Sequence, residues 1–494
     1  MLAFNGSKSL KRALALAISD TRTSISVLKN GLRIVTDSTP GHFSALGAYI
    51  DAGSRYEISA TSGISHMLDR MAWKSTPTRS GQQMMEDLAK LGGNYMCGAQ
   101  RELILYQSSV FNKDVEKMFA CIAETVRAPQ LTELEVLEAQ QTTQYELEEL
   151  EFKHDLFLPE ILHSVAYGRD TLGMLLYGSA ETVLGTTQAQ VQNFHNKFYQ
   201  PQNTVLAFVG VDHDVAVQMA TKQLGDWTNN GEPAKIHKKP ANYMGGELCL
   251  PYQEPRYSNL PKLVHMQMAF ETGGLLSKDL YALATLQKLL GGGSSFSAGG
   301  PGKGMFSRLF RVLNQYPFVE NCMSFNHAHL DSGLFGITIS CYVDHAEYMA
   351  QIIAHELQKV MTVDVSKGGI SKLEFKRAQN QLVASLLMNV ESKLAALEDI
   401  GRQVQCQGKV TTVDEMVARI ELLTIDDLRN VARKVFGGYG NGAQLAKPSV
   451  VIQGDRAAFG DVEYVVRYFG LGLYTSAMPD EPRDYSKKGL LRFF

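Results

Sequence analysis

Two stretches of this 494-residue chain repeat one another, and that repetition limits the possible folds more than any single motif does. Residues 184–212 (LGTTQAQVQNFHNKFYQPQNTVLAFVGVD) and 423–455 (LTIDDLRNVARKVFGGYGNGAQLAKPSVVIQGD) share one order: a leucine-led helical segment, an aromatic, a gap and an apolar strand, closed by Gly-Val-Asp or Gly-Asp. A chain this long exceeds one hydrophobic core, so two similar halves of about 200 residues are the economical reading. Strands and helices recur in matching order in both halves. The expected fold is α+β: two homologous α/β-roll domains, each a mixed, mostly antiparallel sheet packed with helices. The expected boundaries are 23–225 and 262–455. Between them, 226–261 carries Pro233, Pro240, Pro251, Pro255 and Pro261, which reads as a stiff joint. Two lobes on such a joint can face each other across a cleft suited to an extended ligand. Residues 456–494 read as a tail without an assigned role.

Within the first half, Ile25–Asp37 reads as a hairpin, because Asn30-Gly31 lies between apolar runs. Composition narrows the function. Hydrophobic content of 45% and charged content of 20% are ordinary for a globular protein, and a net charge of −3 argues against a nucleic-acid-binding stripe. No apolar run approaches the ~20 residues of a membrane-spanning helix. Cysteines 97, 121, 249, 322, 341 and 406 lack metal-type spacing and read as reduced, mostly buried thiols. Residues 1–22 set Lys8, Lys11, Arg12 and Arg22 against Asp20 alone, among serines and leucines. That is the composition of a mitochondrial presequence, whereas the apolar core of a secretory signal would be too short here.

The stretch Gly291–Gly304 (GGGSSFSAGGPGKG) is half glycine, which excludes a helix or strand interior. A phosphate cradle needs G-x-x-x-x-G-K-S/T, and Ser297 and Gly304 break that pattern. A plain linker remains open. So does a flap that offers its backbone to an extended ligand, with Phe296 as its apolar handle.

His66-Met67-Leu68-Asp69-Arg70 lies on a candidate helix. A histidine at 70 would share a face with His66 and could grip zinc with it. A glutamate at 69 could then take a proton from a metal-bound water. Neither is present: Asp69 is one methylene short, and Arg70 is a permanent cation without a lone pair. Alone, the pattern reads more simply as ordinary helix residues. Glu146 sits in an acidic helical run, 76 residues beyond Arg70. His327, His329 and Asp331 read as the polar face of a strand.

These segments together resemble the pitrilysin-type (inverzincin) metallopeptidases of the mitochondrial processing peptidase group, and within it the alpha-subunit branch. The carriers are GISHMLDRMAWKST (63–76), GGGSSFSAGGPGKGMFSRL (291–309) and MNVESKLAALEDIGRQV (388–404), with Ser294 departing from the usual glycine. The resemblance covers nearly the whole chain after its first residues. Catalytic members of the group place a glutamate, the third zinc ligand, where Glu146 stands. The resemblance therefore implies a degenerate motif of His66, Asp69, Arg70 and Glu146, with no catalytic residue, metal or cofactor in this chain.

It also implies a zinc-bearing beta subunit as partner, a mitochondrial matrix location, and recognition of basic presequence peptides. Gly291, Gly292, Gly293, Phe296, Gly299, Gly300, Gly302, Lys303 and Gly304 would reach the substrate. Glu374, Glu398 and Asp399 would hold a substrate arginine, although neighbouring helical residues diverge by about 100° and only one of the last two would meet it directly. One expectation goes beyond the resemblance: Arg70 replaces the metal charge by pairing with Glu146, and if that carboxylate is buried, Arg70→Ala would strand it at a cost of about 3–5 kcal/mol. The competing readings are a structural core subunit of the cytochrome bc1 complex, which would not need a glycine-rich flap, and an active peptidase using other ligands, which Arg70 opposes.

Overall fold

The computed structural model describes residues 22–228, 238–257, 259–294, 305–439 and 446–472. β1 (Thr23–Val27) and β2 (Arg33–Asp37) pair antiparallel as the expected hairpin. Gly31 takes φ +90° in the turn, and its N–H donates to the Leu28 carbonyl at 2.9 Å, so the position suits glycine. There follow β3 (Phe43–Ile50), α1 (Ile64–Arg70), α2 (Gly81–Leu91), β4 (Asn94–Ala99), β5 (Ile104–Phe111) and α3 (Val115–Arg127). Next come α4 (Glu133–Leu150), α5 (His154–Tyr167), α6 (Ala180–Leu184), α7 (Gln188–Phe198), β6 (Thr204–Val209) and α8 (His213–Leu224).

The second series is β7 (Gly246–Leu250), β8 (Leu263–Gly273), α9 (Leu280–Leu290), β9 (Gly292–Ser294), α10 (Arg308–Gln315), β10 (Val319–Ala328) and β11 (Ser332–Tyr342). It continues with α11 (Met349–Met361), α12 (Lys372–Glu391), α13 (Lys393–Gln407), α14 (Val413–Glu421), α15 (Ile425–Phe436), β12 (Ser449–Gln453) and α16 (Val462–Tyr468).

The repeat read from the sequence is a repeat of topology. One sheet runs β1-β2-β6-β3-β5-β4 and the other β7-β12-β8-β11-β10-β9. Each has a single parallel pair, β2–β6 or β7–β12, and is otherwise antiparallel. The two repeated segments land on equivalent elements: α7 leads into β6, and α15 into β12. The sheets differ at their edges, where the first adds β1 and the second adds β9.

The chain divides into two compact units, and three sequence boundaries are corrected. The first unit holds residues up to Asn242 together with His329–Asp331 and Gln379–Leu422; the second holds Tyr243–Ala328, Ser332–Ala378 and the residues from Leu423 on. Residues 379–422 thus leave the second domain, to which 262–455 had assigned them. The reason lies in the first sheet. Leu46, Ala48, Ile50, Leu206 and Phe208 meet the helices on one face, with Met67, Phe119, Ile122 and Phe194. The other face is apolar too, through Val35, Ala45, Tyr49, Leu105, Val205 and Ala207, and α13 covers it with Leu397, Ile400 and Val404.

The expected joint 226–261 also contains structure. Trp227 is buried in the first core, and Gly246–Leu250 is a strand of the second sheet. The expected tail is folded as far as it is described: Val462, Val466 and Leu471 join the second core. That core sets Met266, Met268 and Phe270 of β8 and Ile337 and Ile339 of β11 against Leu286, Ile353 and Phe436. All six cysteines are free thiols, and Cys121, Cys322 and Cys341 are buried. No helix among the described residues is long and apolar enough to cross a membrane.

At Gly401, α13 lies directly on the ring of Tyr49 in its sheet. A Cβ there would lie 2.3 Å from the ring of Tyr49, which is fully buried and accepts a hydrogen bond from Gln107 at 2.9 Å. Gly401→Ala is therefore expected to lower stability by about 1–3 kcal/mol, the usual effect of overpacking, and thermal unfolding measures it.

Candidate functional site

The short helix α1 is held at its start by a buried acid. Glu57 accepts from the Gly63 N–H at 2.7 Å, the Ser65 N–H at 2.8 Å and the Ser65 hydroxyl at 2.5 Å. Burial pushes its carboxyl up to about 7, against the downward pull of these hydrogen bonds. Gly63 takes φ +93°, and a Cβ there would sit 2.8 Å from the Tyr177 carbonyl oxygen. The first residue of the degenerate motif, His66, is 2% exposed, and its ring meets Tyr177 edge-on with centroids 4.7 Å apart.

The structure gathers the four motif residues. His66 Nε2 lies 2.6 Å from Glu146 Oε2 on α4, and Arg70 Nε lies 3.3 Å from Glu146 Oε1. Arg70 Nη2 also stands 3.5 Å from Asp69 Oδ2, which accepts the Ala99 N–H at 3.1 Å. Burial alone would raise the Glu146 carboxyl. The hydrogen bond with His66 and the neighbouring Arg70 guanidinium outweigh it and hold the group below its ordinary value. Asp69 goes the other way, because burial outweighs its neighbour Arg70.

This donor set does not fit zinc. His66 and Glu146 are bonded to each other, a guanidinium fills the second histidine's position, and Asp69 faces a backbone donor. Among the described residues, no group of three or more His, Cys, Asp or Glu is placed to hold a metal ion. The expected contact between Arg70 and Glu146 is present, but the expected energy is corrected. Their side chains are 37% and 29% exposed, so the pair is screened by water. Arg70→Ala is expected to cost about 0.2–1 kcal/mol in urea unfolding, well short of a stranded buried charge.

The glycine-rich stretch is ordered where it begins. Gly291 ends α9 at φ +59°, and Gly292, Gly293 and Ser294 pair with Met323, Cys322 and Asn321 as the edge strand β9. A Cβ at Gly292 would meet the Cys322 carbonyl at 2.1 Å, so position 292 is glycine because its backbone runs close to its neighbour, whereas a Cβ at Gly293 would have room. Excluding strand structure from the whole run was thus incorrect for these three residues. Phe296, Gly299, Gly300, Gly302, Lys303 and Gly304 lie outside the described residues.

The three candidate acids have different surroundings. Glu374, in the second unit, is buried and forked onto Arg308, at 2.7 Å from Nε and 2.9 Å from Nη2. It is committed to an internal cation, which corrects its assignment to a substrate arginine. In the first unit, Glu398 is 39% exposed and meets Arg402, one turn on, at 2.7 Å. Its neighbour Asp399 accepts from Gln403 at 2.8 Å, and burial pushes its carboxyl up.

Of the three residues read as a polar strand face, only His327 lies in a strand; His329 and Asp331 stand in the turn between β10 and β11. Asp331 binds Arg55 through two contacts of 2.6 and 2.7 Å, and Arg55 also meets Glu102 at 2.6 Å. His329 Nε2 faces His163 Nε2 at 3.2 Å, and His327 stacks on Phe325. Sequence reasoning missed Glu57, Tyr177 and the Arg55 cluster. Nothing in their spacing marks them, because each acts through loop or long-range contacts.

Two family models match this chain: Insulinase (Peptidase family M16) over residues 33–180 and Peptidase M16 inactive domain over 186–382. The mitochondrial-processing peptidase subunit alpha of Neurospora crassa is 41% identical, with 87% of this chain and 86% of that protein covered. The probable mitochondrial-processing peptidase subunit alpha of Schizosaccharomyces pombe is also 41% identical, with 92% and 90% covered. Among solved structures, a chain of complex III2 from Candida albicans, Inz-5 bound, matches with a TM-score of 0.73 at 18% identity, covering 90% of this chain and 99% of that one. The last is a likeness of fold. The chain belongs to the insulinase-type peptidase family M16, as two M16-type domains of α+β architecture. Within that family it groups with the alpha subunits of mitochondrial-processing peptidases.

Removal of Glu374 tests its structural role. Glu374→Ala strands the buried Arg308 and is expected to cost about 3–5 kcal/mol, read by chemical unfolding. A substrate-only acid would leave the unfolding midpoint unchanged.

Proposed function

We propose that this chain is the non-catalytic recognition subunit of a heterodimeric mitochondrial processing peptidase of the mitochondrial matrix. It pairs with a zinc-bearing beta subunit and binds the basic presequences of imported proteins for cleavage by that partner. The observation that carries the reading is the Arg70 guanidinium against Glu146: a fixed cation stands where a metal ligand would have to be. Without a metal-bound water and its base, the chain lacks the chemistry of hydrolysis. It retains acids that suit a cationic peptide. Glu398 and Asp399 are the proposed arginine acceptors, and the stretch 291–304 the proposed contact with peptide backbone. The bc1 core reading rests on a likeness of fold alone.

The test measures zinc content, cleavage of a fluorescent basic presequence peptide, and peptide anisotropy, for the chain alone and mixed with a zinc-bearing homologue. The expected outcome is no zinc and no cleavage by the chain alone, cleavage in the mixture, and weaker peptide binding after deletion of 291–304. Stoichiometric zinc with activity in the isolated chain would overturn the reading.

A further inference from the structure

We propose that the outward face of α4 is a docking surface for a basic amphipathic helix. The inner side of α4 is occupied: Glu135 accepts from Ser75 at 2.6 Å and Glu146 meets His66. The outer side carries large apolar groups in water. Leu134 is 65% exposed, Leu137 49%, Tyr145 64%, and Phe152, just past the helix end, 42%. At about 100° per residue, Leu137 lies roughly 60° to one side of Leu134 and Tyr145 roughly 20° to the other. Leu134 and Tyr145 span about 16 Å of helix, and Phe152 extends the same stripe. A surface helix ordinarily turns polar residues outward, so four large apolar groups on one outward face, interspersed here with the exposed Glu138 and Gln141, mark an interaction site for an amphipathic partner.

The sign of the rim selects the occupant. The sequence of α4, ELEVLEAQQTTQYELEEL, contains no lysine or arginine, and beyond the inward Glu135 and Glu146 its glutamates include the exposed Glu133, Glu138 and Glu148, of which Glu138 meets Lys74 at 2.5 Å. Glu133 and Glu148 stand exposed beside the apolar stripe. The complement is a helix whose apolar stripe is edged by cations; an acidic segment would be repelled. Residues 1–22 of this chain supply a probe with that pattern. Leu10, Ala13, Leu14, Ala17 and Ile18 recur at helical spacing, and Lys8, Lys11 and Arg12 fill other positions. The inference rests on the recognition reading above but uses none of the residues assigned there. It adds a second point of attachment, which would raise the overall affinity for a long basic substrate.

The experiment is anisotropy of a labelled peptide of residues 1–22 with the full chain, alone and paired with the zinc-bearing homologue. The variants are Leu134→Ser with Tyr145→Ser, and Glu148→Lys; all three positions are exposed, and thermal unfolding checks that each variant is folded. The double apolar variant is expected to weaken binding about tenfold or more, since aromatic anchors such as Tyr145 dominate contacts of this kind. Glu148→Lys is expected to weaken binding and flatten its salt dependence. Unchanged affinity in both variants overturns the inference, and if deletion of 291–304 still weakens binding, the recognition reading stands without it. Loss of pairing with the zinc-bearing homologue at unchanged peptide affinity also overturns it, because the face would then belong to that partner. Absence of peptide binding in the chain and in the pair removes the recognition reading and this inference together.

Discussion

The first sheet is apolar on both faces, and a sheet of that kind has to be covered twice. Helices such as α1, α3 and α7, close in sequence, cover one face, and α13 from far downstream covers the other. Its apolar residues are backed by polar anchors. At its start, Lys393 donates to the Thr39 and Phe43 carbonyls at 3.0 and 2.7 Å, and toward its end the Val404 carbonyl accepts from Arg33 at 3.1 Å. Gly401 lets the helix sink onto the Tyr49 ring. A helix fixed in this way holds its remaining side chains in set directions, and Glu398 and Asp399 are among them. Acids presented from a rigid element lose little freedom when they bind a ligand.

Much of the fold was legible because it depends on local pattern. The Asn30-Gly31 turn requires a positive φ at glycine, and that requirement shows in two letters. The repeat showed because equivalent helices and strands kept equivalent apolar spacing in 184–212 and 423–455. Elements whose reason is distant were hidden. Gly246–Leu250 alternates weakly, is flanked by prolines, and becomes a strand through parallel pairing with β12. Residues 379–422 look like any amphipathic helices, and their destination is set by the uncovered face of a sheet built much earlier in the chain. The folded part of the expected tail was missed for the same reason, since Val462, Val466 and Leu471 gain their meaning from the second core.

The degenerate site was legible in its residues and only half legible in its energetics. The sequence placed a cation where a ligand should be, and geometry put that cation against Glu146. It could not say how wet the pair would be. The local shape does not depend on a metal. Glu57 holds the start of α1, Glu146 holds His66, and the Ala99 N–H holds Asp69. Hydrogen bonds therefore do the positioning that coordination does in a zinc enzyme. Arg70 has only to add to the His66 hydrogen bond in holding the Glu146 carboxyl down, which a half-exposed guanidinium can do. Catalysis can disappear from such a helix without taking the fold with it.

The same distinction separates the acids. Glu374 and Glu398 are the same residue type on helices, and a pattern of letters treats them alike. An arginine arriving at Glu374 would have to displace the forked, buried Arg308 and leave that cation unpaired in the interior. At Glu398 it would compete with Arg402, one turn away and half in water, whose guanidinium also reaches Gln100 at 2.5 Å. Exchange of one exposed ion pair for another costs little, whereas breaking a buried one costs several kcal/mol, on the order of 3–5. The acid able to serve a ligand is therefore the one whose present partner can leave for water. That property belongs to the neighbours rather than to the residue.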